Sequence, residues 1–472
     1  MNPIFASDSL SLFAPFLSVS AAIAFLIGGH IARWSTTIIL SLVGLALGFA
    51  WFIGFYSPPT GLSSWGISFD ALGTLGTQLL LPAIFLVAIM AMDLTEYDRK
   101  IGSLLLVLLS GIGAIAVLIS HNWMILFVAI QCMSIPIYAL IARDTNNPNA
   151  VSASLRYLLL SALAMAFMLF GILLLYAATG TLDFHEQAAV MQPSSLLILG
   201  FALVLVGLGF KLSVFPLHIW TPQVYQNSPF FVVGLMVVIA KSAVMIALLR
   251  AFLVVFATPP SAFIAVLSAM AIISMWLGNG LMLKEKRFIA LLAFLSIGHM
   301  GFLLVALLAK NQLGIEAIFS DITAFGLALL IILASIKSLD KRWSAHFTID
   351  EFRGLVRQHP THALVLILAL ISLAGFPLTA GFIGKYSVFM ASIEAHLWFF
   401  IPHMAITSIL GLCALARIII VMFELPVENS VSKTSISIPL VVGALALLAF
   451  GIFPETWLLW VKSQSAGLNL LK

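Results

Sequence analysis

Four basic side chains, Lys211, Lys241, Lys385 and Arg417, sit inside stretches of sequence that are otherwise apolar. A charge at the centre of a bilayer costs roughly 2.5–3.5 kcal/mol on insertion scales, so four of them need a reason. Burial disfavours the charged form of an amine, which turns a lysine from a fixed cation into a group that can take up and release a proton. His218 and His299 belong to the residue type that exchanges protons in the physiological range. Ser213, Ser242 and Tyr225, with confined water, can supply intermediate hydrogen-bond steps. A line of such groups at mid-membrane depth is what moving a proton through an apolar barrier requires. Plainer roles stay open beside this one. A lysine can snorkel to the interface, and Arg417, nearer the cytoplasmic end of its segment, can be an anchor. His299 can be a satisfied core histidine, and His218, close to Trp220, an interfacial anchor.

The rest of the chain exists to hold these groups in lipid. Of 472 residues, 62% are hydrophobic and only 8% charged, against about a quarter charged in a soluble domain. That excludes a soluble enzyme, a nucleic-acid binder and a disordered chain. Apolar runs of spanning length predict an all-α polytopic membrane protein of about fourteen transmembrane helices. Their expected limits are 9–29, 36–57, 71–92, 101–120, 122–142, 153–178, 195–217, 229–256, 262–283, 287–309, 316–340, 362–393, 398–424 and 438–461. The opening MNPIFASDSL lacks the basic region of a signal peptide, so it is expected to lead into an uncleaved first helix. Cys132 and Cys413 both fall in apolar runs and give no disulfide or metal spacing.

Loops after odd-numbered segments hold fourteen Lys and Arg, among them Arg99, Lys100, Lys284, Lys286 and Arg287. Even-numbered loops and the tails hold four: Arg250, Lys310, Lys462 and Lys472. The positive-inside rule then puts odd loops in the cytoplasm and both termini on the non-cytoplasmic side.

Two spans are interrupted. GFKLSVFPLHIWTPQVYQNSPFF carries Pro216 and Pro222 just after Lys211, and SLAGFPLTAGFIGKYSVF carries Gly375, Pro377, Gly381 and Gly384 just before Lys385. Proline removes a backbone donor and clashes with the preceding turn, and unwound backbone at membrane depth survives only in protein or beside a cavity. Gln131, Lys211 and Lys241 are spaced 80 and 30 residues apart; His299, Lys385 and Arg417 are spaced 86 and 32 apart. This spacing predicts two inverted five-helix repeats with broken helices 7 and 12. The expected division is 1–95 for helices 1–3, 96–256 for the first repeat, 257–425 for the second and 426–472 for helix 14. Neither a GxxxxGK[ST] loop nor a GxGxxG motif is present, so the chain is expected to use no ATP or dinucleotide of its own.

With these residues in place, FKLSVFPLHIWTPQVY at Phe210–Tyr225 and KRFIALLAFLSIGHMGFLL at Lys286–Leu304 resemble the antiporter-like subunits of respiratory complex I and the related Mrp-type antiporters. DEFRGL at Asp350–Leu355 followed by Lys385 resembles the N-type member, whose M-type counterpart has glutamate in the twelfth helix. The resemblance runs from about residue 70 to 424. It implies a proton path through Lys211, Lys241 and Lys385, coupled to quinone reduction elsewhere. NADH, FMN, iron–sulfur clusters and quinone are expected on partner subunits, with none in this chain, and quinone is touched only indirectly. Expected partners are other membrane subunits of a complex I-like assembly and the lipid bilayer, with no nucleic acid, in a bacterial inner membrane. Three departures bear on mechanism: the family's fifth helix carries a glutamate where this chain has Gln131, and Gln223 and Gln226 also replace acidic residues. The pair around Lys211 therefore lacks its carboxylate, which motivates one alternative, a non-pumping structural subunit; a subunit of a Mrp-type cation/proton antiporter is the other.

Overall fold

The computed structural model describes residues 66–68, 70–92, 97–144, 147–190, 194–256, 259–339, 347–426 and 438–465, with single positions 21, 23, 43, 44 and 48. The segments expected at 9–29 and 36–57 lie outside these apart from the single positions. In chain order the helices are α1 (Ala71–Ala91), α2 (Tyr97–Leu118), α3 (Trp123–Ala142), α4 (Ala150–Thr179), α5 (Phe184–Val190), α6 (Ser195–Leu212), α7 (Trp220–Gln226) and α8 (Phe230–Val254). They continue with α9 (Ser261–Met282), α10 (Phe288–Ala309), α11 (Gln312–Leu339), α12 (Pro360–Ala374), α13 (Ala380–Glu394), α14 (Phe400–Phe423), α15 (Ile438–Ile452) and α16 (Pro454–Ser465). Among the described residues no strand forms, and only isolated bridges such as Ile67 with Ser120 occur. Ten of these helices are long and apolar enough to cross a membrane. The chain is an integral membrane protein.

The final segment differs from expectation. A single span was expected over 438–461, but α15 and α16 meet at 81°. Pro454 explains the break: it cannot continue α15 without clashing, yet fits the first turn of α16, where no N–H is needed.

Both expected interruptions occur. α6 stops at Leu212, Ser213 turns into the left-handed region (φ 59°), and helix resumes at Trp220. α12 ends on Gly375 (φ 80°), a conformation that favours glycine, and α13 begins five residues later. α8, at the centre of the molecule, is buried throughout, with a π-helical stretch at Leu235–Ala240 directly before Lys241. Such stretches are rare and frequent at functional sites.

Helix contact in lipid relies on close backbone approach at small residues. At Gly113 of α2 a Cβ would stand 2.3 Å from the Met133 nitrogen of α3, and at Gly278 of α9 a Cβ would stand 2.3 Å from the Gly298 nitrogen of α10. The DEFRGL segment ties the far end of α14 to this core. Thr348 and Glu351 form a capping box, Arg353 Nε pairs with Glu424 at 3.1 Å, and Phe352 packs edge-on against Phe288. Gly354 (φ 75°) lies so close to Pro426 that a side chain would collide.

Arg250 corrects the loop assignment. It is not in a loop but on α8, with no exposed surface. Its guanidinium bonds both carboxylate oxygens of Asp70, the N-cap of α1, and the carbonyls of Leu118 and Ser120 at the end of α2. His121, in the turn before α3, lies 3.7 Å from the same carboxylate and stacks on His185.

Burial, then the Arg250 charge, outweighs the attraction of Asp70 and holds the His121 imidazole down at about 3. An unfolded histidine protonates near 6.5. Its contribution to stability is therefore complete above pH 6.5 and is lost as pH falls from there toward 3, at about 1.4 kcal/mol per unit. The Asp70 carboxyl is raised by burial but pulled further down by Arg250, and ends below its ordinary 3.8; its contribution is lost only below about pH 4. Thermal unfolding in detergent should show a midpoint that falls between pH 7 and 5, and a flatter profile for His121→Gln.

Candidate proton-carrying site

Lys211 closes the last turn of α6 and reaches into α3 and α4. Its amine donates to Ser161 Oγ at 2.9 Å and Tyr138 Oη at 3.3 Å, and Tyr138 donates to the same Ser161 at 2.7 Å. The rings of Tyr157 and Tyr138 stand 5.1 and 5.5 Å from the nitrogen, close enough for cation–π attraction. No carboxylate touches this amine among the described residues. Gln131 lines a recess of about 450 Å3 together with Tyr138 and Ser154, and its buried Oε1 has no hydrogen-bond partner. Tyr138, which lines this recess and accepts from Lys211, is thus common to the surroundings of both.

Lys241 follows the π-helical stretch of α8 and is 1% exposed. Its amine donates to Ser296 Oγ on α10 at 2.9 Å and lies 5.7 Å from the Tyr225 ring. Between the two lysines Tyr157 stacks on Trp220 at 4.4 Å, and Trp220 meets Tyr225 edge-on at 6.1 Å. Around the α6–α7 break the hydroxyls of Ser213 and Thr221 are buried and without a hydrogen-bond partner among the described residues. His218 sits in that break, half-buried beside Phe215, and makes no contact with either lysine amine among those described.

His299 lies on α10 three residues beyond Ser296, hence on the same face. Its ring stacks on Phe325 at 3.7 Å, and Nε2 lies 2.9 Å from Asp321 Oδ2 on α11. Lys385, on α13, donates to the Ala374 carbonyl at 2.9 Å, one of the orphaned acceptors at the end of α12. His299, Asp321 and Lys385 share the wall of a cavity of about 20 Å3 with Ser372 and Asn279, about the room one water needs.

Arg417 stands apart. It donates to the carbonyls of Leu283 at 2.6 Å, Glu285 at 2.5 Å and Met282 at 3.4 Å, so it caps the end of α9. It touches none of the cavity residues. Its place in the spacing pattern thus matches Lys241, but its contacts are those of an anchor.

The NADH:quinone oxidoreductase/Mrp antiporter transmembrane family matches residues 120–411, more than half of the chain and all of these residues except Arg417. The chain belongs to that family. A curated relative within it, NADH-quinone oxidoreductase subunit N of Ectopseudomonas mendocina, is 38% identical over 323 residues, covering 68% of this chain and 65% of the relative. The match therefore spans slightly under two thirds of that protein. A chain of respiratory complex I from Thermus thermophilus superposes with a TM-score of 0.78 at 28% identity, over 93% of this chain and 98% of that one. A chain of the Mrp complex from Dietzia superposes with a TM-score of 0.84 at 20% identity, over 98% of each; at that identity it shows the shared fold alone.

Sequence reading missed four side chains that the structure places beside these groups: Tyr138, Ser161, Ser296 and Asp321. Asp321 alone left a signal, as an acidic residue in the middle of the apolar run EAIFSDITAF.

Proposed function

We propose that this chain is the N-type membrane subunit of a proton-pumping NADH-quinone oxidoreductase. It carries protons along Lys211, Lys241, His299 and Lys385 while quinone is reduced on other subunits. The observation that carries the reading is the row of buried amines. Lys211 and Lys241 are held on neutral hydroxyls, so each can exist with or without its proton while keeping its partner. The 38% identical subunit N relative supports the choice of assembly over the Mrp alternative.

In this reading residues 96–256 and 257–425 are two inverted repeats, preceded by 1–95 and followed by 426–472. Two features support the division: each unit opens with a helix pair pinned at one glycine, Gly113 or Gly278, and each contains one broken helix. Both termini lie on the non-cytoplasmic side of a bacterial inner membrane. NADH, FMN, iron–sulfur centres and quinone belong to partner subunits, and this chain supplies only the path.

Purification in mild detergent with mass spectrometry of co-migrating chains is the first test. Recovery with quinone-site, iron–sulfur and flavin-bearing subunits is expected; recovery with small membrane subunits alone sinks the redox reading. In the recovered assembly Lys211→Ala should lower the number of protons moved per electron. An unchanged ratio would make the chain a structural subunit.

A further inference from the structure

We propose that Asp321 is a proton-relay residue of the second half, an acid that passes protons between His299 and Lys385 across the small shared cavity. This rests on the function proposed above and adds a group that the spacing of basic residues does not contain.

Asp321 is the tenth residue of α11 and 3% exposed, which places a carboxylate deep in the span. No Lys or Arg pairs with it among the described residues; its only ion-pair contact is His299 Nε2 at 2.9 Å. A merely structural Asp–His pair would be closed by hydrogen bonds, because buried polar atoms rarely go without them. Here Asp321 Oδ2 and both ring nitrogens of His299 have no aligned hydrogen bond. They border a space that one water could fill, and Lys385 borders the same space. The backbone is shaped for this approach. At Gly384, next to Lys385, a Cβ would stand 2.6 Å from Asp321 Oδ1, and at Gly375 a Cβ would stand 2.7 Å from the Lys385 stem. Glycine at both positions lets the carboxylate and the amine face one cavity.

The transfer balances within these three groups. It starts from imidazolium, carboxylate and neutral amine. The Nε2–H bond of His299 breaks as an O–H bond forms on Asp321. That O–H bond then breaks as an N–H bond forms on Lys385, directly or through one water. The result is neutral imidazole, carboxylate and ammonium, with the same net charge. Throughout, the amine keeps one N–H on the Ala374 carbonyl, which leaves its lone pair for the cavity. The carboxylate absent from the first half, where Gln131 stands, is thus present in the second half at a different helix.

The test uses the complete assembly reconstituted in vesicles, with protons moved per electron as the readout and subunit content as the assembly control. Asp321→Asn is expected to lower the ratio as far as Lys211→Ala does, and Asp321→Glu to restore it in part. Should Asp321→Asn not assemble, Asp321→Ser serves instead, since it is smaller and can bond a carbonyl of its own helix. A full ratio in either assembled variant, alongside a lowered ratio in Lys211→Ala, overturns the role of Asp321 and leaves the proposed function standing. A full ratio in Lys211→Ala as well overturns both.

Discussion

Arg250→Ala is expected to destabilise the protein by about 3–5 kcal/mol, the range for breaking a buried ion pair from one side. The guanidinium has no exposed surface and satisfies Asp70 together with two carbonyls at the end of α2. Its removal leaves a partly buried carboxylate with only the Gly73 N–H that it caps and His121 among its described partners, and it strands the α2 carbonyls without a donor. Three helices, α1, α2 and α8, lose their common tie. Heat-induced unfolding in detergent should show a large fall in midpoint. The double variant Asp70→Asn/Arg250→Met should recover most of it, because removing both charges removes the desolvation penalty along with the attraction. A loss below about 1 kcal/mol in the single variant would mean that the contact is not a lock.

Lys241→Met is expected to do the reverse: to stop proton movement through this chain while raising the unfolding midpoint. An ammonium offers three donors, yet the 1% exposed amine has one acceptor, Ser296, and the face of Tyr225. An apolar side chain of similar length replaces an expensive group with one that the surroundings accept, a gain of about 1–4 kcal/mol. Ser296 is not stranded, because its hydroxyl also donates to the Ala293 carbonyl at 3.0 Å. Stability gained as function is lost is the usual sign of a strained functional group. The experiment reads both quantities on one preparation, and a lowered midpoint would show that Lys241 is there for structure.

The helices and the two breaks were legible because hydropathy and proline act locally: Pro216, Pro377 and Gly375 interrupt whatever run contains them. Lys211, Lys241 and Lys385 stood out for the same reason, each being costly in its own segment. Their partners were not legible. Tyr138 and Ser161 lie 73 and 50 residues from Lys211, and a helix that is apolar all round gives no periodicity to say which face is inward. Arg250 was read as a loop residue because a charge near the end of an apolar run looks like its boundary. It is inside the helix because Asp70, 180 residues away, makes it affordable there. Asp321 was legible in principle, as a carboxylate in the middle of a span, to a tally covering both signs of charge.

Nine residues separate Lys241 from Arg250 on α8, and at 3.6 residues per turn that is two and a half turns. The two side chains therefore leave the helix in opposite directions, Arg250 toward α1 and α2 and Lys241 toward Ser296 on α10. Arg250 acts as a rotational pin. Held at the far end of the helix, it fixes the azimuth at which the amine is presented, as a key on a shaft fixes the angle of a cam. The π-helical stretch at Leu235–Ala240 stands immediately on the other side of Lys241 and absorbs the register mismatch with the preceding turn. One residue is thus spare there: its deletion would let the stretch close into ordinary α-helix and leave Phe230–Gly234, Lys241 and Arg250 facing as they do.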